Sequence, residues 1–133
     1  MASILKVDTI TGVTTAGSIS VTGEGNSTTT NLQQGLLKAW GNMQGSSTAA
    51  INDSFNVSGL TDNGTGNFTV SVANDLANAN GVMSGYSVMD GLVYGEDGQV
   101  SAAGSFRMRV VIGYTNASMD PDDFHVMIAG DLA

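Results

Sequence analysis

One histidine, two arginines two positions apart and a cluster of aspartates are the residues of this 133-residue chain best able to do chemistry. His125 is the sole imidazole, and imidazole is the side chain whose ordinary titration falls near neutral pH. A hydrolytic triad would set it beside a serine and an acid, yet no nucleophile-elbow pattern such as Gly-x-Ser-x-Gly occurs. His125 is therefore expected to be a strand residue facing a neighbour, and the chain to be non-enzymatic. Arg107 and Arg109 alternate with apolar residues and so share one side of a strand. They suit carboxylates across strands or subunits, or recognition of an acidic group. Asp120, Asp122 and Asp123 offer oxygen ligands of the kind calcium takes. They lack the EF-hand spacing and its closing glutamate, and an exposed Asp-Pro turn accounts for them equally well. Glu96 and Asp97 form a similar acidic turn. Trp40, Tyr86, Tyr94 and Tyr114 could stack on a sugar, but Tyr86 and Tyr114 fall on positions that read inward, where core packing is the default. No catalytic residue, metal or cofactor is expected.

Charge narrows the function classes. The formal net charge is −8, with only Lys6, Lys38, Arg107 and Arg109 as cations. Phosphate backbones need a basic footprint, so nucleic acid is excluded as a partner. No stretch approaches the roughly 20 apolar residues of a membrane-spanning helix, and no membrane partner is expected. There is no cysteine, hence no disulfide framework and no thiolate metal site. The opening MASILKVDTI has neither the basic region nor the apolar run of a secretory signal. Synthesis in a cytoplasm is expected, with any outside role reached aboard a particle.

These residues must be positioned by strands. Eighteen glycines, one proline and 12% charged residues describe a chain of many turns rather than long amphipathic helices. Residues 1–28 hold two short strand-like pieces, with Leu5 and Val7 alternating in the first, Ile10 following, and Ile19 and Val21 alternating in the second. Such an arm becomes ordered by pairing with a sister chain or a docking surface. Over 29–40, Leu32, Leu36 and Trp40 recur at four-residue spacing and predict a short helix, capped by Thr30 or Asn31 and weakened by Gly35. Packed around an axis, copies of this helix would form a neck; otherwise its apolar face caps the β-core.

From 41 to 133 the pattern is of period two. Ala49, Ile51, Phe55 and Val57 alternate, then Phe68, Val70 and Val72, on either side of Thr61-Asp62-Asn63-Gly64-Thr65-Gly66, which predicts one hairpin. Val82, Tyr86 and Val88 follow at even positions. Phe106, Met108, Val110, Ile112 and Tyr114 read inward, with Arg107, Arg109 and a partly covered Val111 outward. In the last strand Phe124, Val126 and Ile128 read inward and His125, Met127 and Ala129 outward. The predicted fold class is all-β: an antiparallel β-sandwich or jelly-roll-like domain with an extended N-terminal arm and one short helix.

The run Ala39-Trp40, a glycine-bearing turn, Asp53-Ser54-Phe55-Asn56-Val57-Ser58 and Thr61-Asp62-Asn63-Gly64-Thr65-Gly66 resembles a module of tail-fibre-like and other virion structural proteins of marine tailed bacteriophages. The opening Ile4-Leu5-Lys6-Val7-Asp8-Thr9-Ile10 is similar to the start of many such proteins. Asp75-Leu76-Ala77-Asn78-Ala79-Asn80 and Val126-Met127-Ile128-Ala129-Gly130-Asp131 have looser counterparts. Met43 stands where the module often has an aromatic residue, and Asn52 where it has a charged one. The resemblance implies a virion structural protein, made in a host cytoplasm: a fibre or capsid-decoration component, homotrimeric, anchored on a capsid or tail protein. Leu5, Val7, Ile10, Ile19, Val21, Leu32, Leu36 and Trp40 are then the arm and assembly candidates, and Arg107, Arg109 and His125 the subunit-contact candidates. The alternative it implies is a receptor-recognition module whose loops at 92–98 and 115–123 contact a host surface polysaccharide.

Overall fold

In the computed structural model, residues 4–12, 19–23, 28–32, 35–88, 91–95 and 102–131 are described. The chain divides into two compact units, Met1–Leu36 and Leu37–Ala133.

The first unit is a two-stranded ribbon, β1 (Ser20–Thr22) paired antiparallel with β2 (Thr29–Asn31). Backbone bonds from Gly23 to Thr28 and from Leu32 to Ile19 extend it. Ile4, Leu5, Val7, Ile10 and Val21 are each more than half exposed. Two three-residue strands bury too little apolar surface for independent stability.

The short helix expected over 29–40 is not there, and no residue described between 28 and 41 is helical. Residues 29–31 belong to β2 and Ala39 and Trp40 to β3, while Leu36 is half exposed. Three turns of helix are marginal alone, and Gly35 and the threonines at 28–30 weaken them further. Two strands at its ends offer hydrogen-bonded alternatives, and the ladders win.

The second unit is one sheet of eight antiparallel strands in the order β4-β3-β10-β7-β8-β9-β6-β5, nearly closed into a barrel. Its strands are β3 (Ala39–Gln44), β4 (Ala50–Phe55), β5 (Val57–Gly64), β6 (Asn67–Val72), β7 (Val82–Ser87), β8 (Gly91–Gly95), β9 (Ser105–Ile112) and β10 (Phe124–Ala129). A near-barrel stands in place of the expected sandwich or jelly roll. The expected single hairpin is two: β3 pairs with β4 and β5 with β6, and β4 and β5 form opposite edges of the sheet. The chain steps from one edge to the other through Asn56, at φ 57°. Phe55 consequently points out, more than half exposed, rather than into the core.

Period two sets the inside. Ala39 and Met43, then Phe68, Val70 and Val72, Phe106, Met108 and Val110, and Phe124, Val126 and Ile128 are all buried. Register places them in two tiers. One holds Met43, Phe68, Val70, Met108, Val110, Phe124 and Val126, with the Phe68 and Phe124 rings 5.0 Å apart and tilted by 31°. The other holds Ala39, Val72, Phe106 and Ile128 around Leu76, a residue of the crossover from β6 to β7.

Each end has its own closure. Leu76 plugs one, close enough to Gly81 and Gly130 that a Cβ on either would meet its δ-methyl at 2.5 and 3.0 Å. Pro121, fully buried, closes the other, and its carbonyl accepts the N–H groups of Gly45 and Ser46.

Candidate functional site

The outer face of β4, β3, β10 and β7 carries a groove of about 410 Å³. Its lining includes Leu37, Trp40, Asn42, Asp53, Tyr86, His125 and Met127. Strand alternation explains why these side chains face out. On β3, Ala39 and Met43 go to the core, so Trp40 and Asn42 go to the surface. On β10, Phe124, Val126 and Ile128 go in, so His125 and Met127 go out. On β7, Gly85 is paired with the buried Val126 and a Cβ there would meet Val93 of the core at 3.0 Å, so Gly85 faces in and Tyr86 is left on the outer side.

Register then sorts the groove into two rows. Phe55, Trp40, Met127 and Ser84 are directly opposite one another in succession across four strands. Asp53, Asn42, His125 and Tyr86 form the next row. The rows stand about 7 Å apart, two residues along each strand. One is largely apolar and the other polar, and the backbone of Gly41, Val126 and Gly85 forms the floor between them.

The polar row is held in place. The Asn52 amide donates to Asn42 Oδ1 at 2.9 Å, which fixes the Asn42 side chain and directs its own N–H groups away from Asn52. The rings of Tyr86 and His125 stack with centroids 4.6 Å apart and 17° between planes. His125 Nε2 lies 3.5 Å from Asp123 Oδ2, too far for a firm hydrogen bond and an ionic contact only when the imidazole is protonated. The row thus offers a carboxylate, an amide, an imidazole and a phenol beside exposed aromatic and thioether surface. That set can hydrogen-bond hydroxyl groups on one side and pack against C–H surface on the other.

The other expected residues fall elsewhere. Trp40 belongs to the groove and not to a helix with Leu32 and Leu36. Tyr86 and Tyr114 are exposed, Tyr114 strongly so, rather than inward. Arg107 Nε donates to Asn67 Oδ1 at 3.2 Å, and the Arg109 guanidinium donates to Ser118 Oγ at 3.2 and 2.8 Å. These partners are neutral, and the arginines stand on β9, apart from the groove lining. Val111, beside them, is completely buried. Asp120 accepts the Gly66 N–H at 2.6 Å and so ties the β5–β6 turn to the loop before β10. The acidic turn at Glu96 and Asp97 and the side chain of Tyr94 lie outside the described residues.

Sequence reasoning missed the groove because it placed Trp40 on a helix and Tyr86 in the core. The alternation Ala39-Gly41-Met43 against Trp40-Asn42 was the available signal. Compared with family models, curated proteins and solved structures, the chain matches none.

Proposed function

We propose that this chain is a non-enzymatic structural protein of a tailed-bacteriophage virion, a fibre or capsid-decoration component. The N-terminal segment anchors it on a capsid or tail protein and joins it to further copies of itself as a homotrimer, while the β-domain projects outward. The observation that carries this reading is the division of the chain at 36/37 into a self-contained barrel and a slight ribbon with exposed Leu5, Val7, Ile10 and Val21. An apolar surface that the chain itself leaves uncovered is what assembly covers. The resemblance of Ile4–Ile10 and of 39–66 to phage structural proteins supports the same assignment.

The test is deletion of residues 2–25 in the phage that carries the protein. A head that folds but fails to join particles is the expected result; normal incorporation of the shortened chain would overturn the proposal. A second reading, recognition of a host surface polysaccharide, is favoured by one observation, the two-rowed groove on the barrel's outer face.

A further inference from the structure

We propose that the groove across β4, β3, β10 and β7 binds a neutral polysaccharide, with sugar C–H faces on Trp40 and Met127 and hydroxyls on Asp53, Asn42 and His125. This deepens the recognition reading and rests on it; the anchoring role of the arm is independent of it.

Three observations converge on this ligand. The first is the separation of the walls. A pyranose has an apolar C–H face and a rim of hydroxyls, and here Trp40 and Met127 stand opposite Asp53, Asn42, His125 and Tyr86 across one backbone floor. A purely apolar partner would leave the polar row desolvated without hydrogen bonds, which costs free energy. The second is the inventory of that row. Asp53 accepts, the Asn42 amide donates, and the His125 imidazole adds two ring nitrogens, which matches hydroxyls that donate and accept in turn. The third is charge. Asp53 lines the groove, Asp123 Oδ2 lies 3.5 Å from His125 Nε2, and the chain carries a net charge of −8. Uronate and sulfate polymers are repelled, so a neutral chain is selected.

The site is also preorganised. Asn42 is held by Asn52 and Tyr86 is stacked on His125, so little side-chain order remains to be lost on binding. Three strand spacings give the groove a length of about 14 Å, longer than one sugar ring, and it is open at the surface. That shape admits the middle of a long glycan as readily as its end.

Trp40 is the only tryptophan in the chain, so its fluorescence reports occupancy directly. The full chain is titrated with oligosaccharides of glucose, mannose and galactose, and with an acidic polymer as control. The expected result is a saturable change with at least one neutral sugar and none with the acidic polymer. Asp53→Ala and Asn42→Ala, both surface changes, should each weaken binding about tenfold. Trp40→Ala, followed by affinity electrophoresis, should weaken it more than about thirtyfold, with Trp40→Phe between. Near-identical far-UV spectra show that the variants fold. Sugar binding that survives all these substitutions overturns the groove while leaving glycan recognition standing elsewhere on the chain. No binding of any neutral sugar by the unaltered chain overturns both, and tight acidic-polymer binding overturns the charge argument and the proposal with it.

Discussion

Replacing Asn56 with aspartate should unfasten the barrel at its seam. Asn56 joins the two edge strands, adopts φ 57° and makes four side-chain hydrogen bonds. Its amide nitrogen donates to the carbonyls of Lys38 at 2.9 Å and Asn74 at 3.1 Å. Its oxygen accepts from the Asn74 backbone N–H at 2.8 Å and the Asn74 amide at 3.1 Å. Asparagine is among the few residues at ease in the left-handed region. Aspartate has the same shape and the same tolerance, and it keeps the accepting oxygen. What it loses is both donors, and a carboxylate oxygen then faces two carbonyls. Two hydrogen bonds at about 1 kcal/mol each, plus about 1 kcal/mol for the anion against carbonyl oxygens at this part-buried corner, give about 3 kcal/mol. Asn56→Gly loses all four bonds but adds no charge and no backbone strain, and water reaches the freed groups, so each bond counts at the low end of about 0.5 kcal/mol and about 2 kcal/mol is expected. Asn56→Ala adds about 1 kcal/mol of left-handed strain to that. Urea unfolding followed by circular dichroism measures each difference as a shift in midpoint at constant slope. The aspartate variant carries a further signature. Its charged form is disfavoured in the fold, so the folded carboxyl pKa lies above the unfolded one, and its deficit against the parent should shrink as pH falls through that range. An aspartate variant within about 0.5 kcal/mol of the parent, or more stable than the glycine variant, would refute the account of the seam.

Other positions give sharp contrasts. Gly66 sits at φ 67° and an added Cβ would lie 2.4 Å from the Val110 carbonyl oxygen, so Gly66→Ala should cost more than about 2 kcal/mol by thermal unfolding. At Gly59 a Cβ would meet only Ser71 Cβ at 4.0 Å, and Gly59→Ala should stay within about 0.5 kcal/mol of the parent in the same assay. Leu76→Ala empties the plug at one end of the core and should cost about 2–5 kcal/mol in urea. Asp120→Ala removes the acceptor of the Gly66 N–H, and about 1–3 kcal/mol should be lost.

How much of this was legible in the sequence depended on whether both faces of a strand carry the same kind of residue. In β6 apolar and polar residues alternate strictly, in β9 they do so as far as Val110, and in β10 Phe124, Val126 and Ile128 keep one parity, so that Phe68, Val70, Phe106, Met108, Phe124, Val126 and Ile128 read inward correctly. His125 and Met127 read outward for the same reason. In Val82–Ser87 the apolar residues Val82, Met83 and Tyr86 occupy both parities, and only the pairing of Met83 and Gly85 with the buried Ile128 and Val126 of β10 settles which side is buried. That contact is tertiary and leaves no local pattern. Trp40 failed differently: its four-residue spacing from Leu36 imitated a helix, while β3 gains ladders on both sides, from β4 and from β10. The seam was hidden for a third reason. Residues 49–57 alternate as one run, and nothing local says that Asn56 turns the chain between opposite edges of the sheet. The groove draws its rows from four strands paired across more than 80 residues of sequence, from Trp40 to Met127, so it becomes visible only with the register in hand.

The measurement that bears most directly on the central claim, that the N-terminal unit assembles copies while the barrel stands alone, is solution mass by light scattering. It compares the full chain with one beginning at Leu37. The account predicts an oligomer, a trimer, for the full chain and a folded monomer for the shortened one. A full chain that is itself monomeric, or a shortened chain that keeps the oligomeric mass, would contradict it.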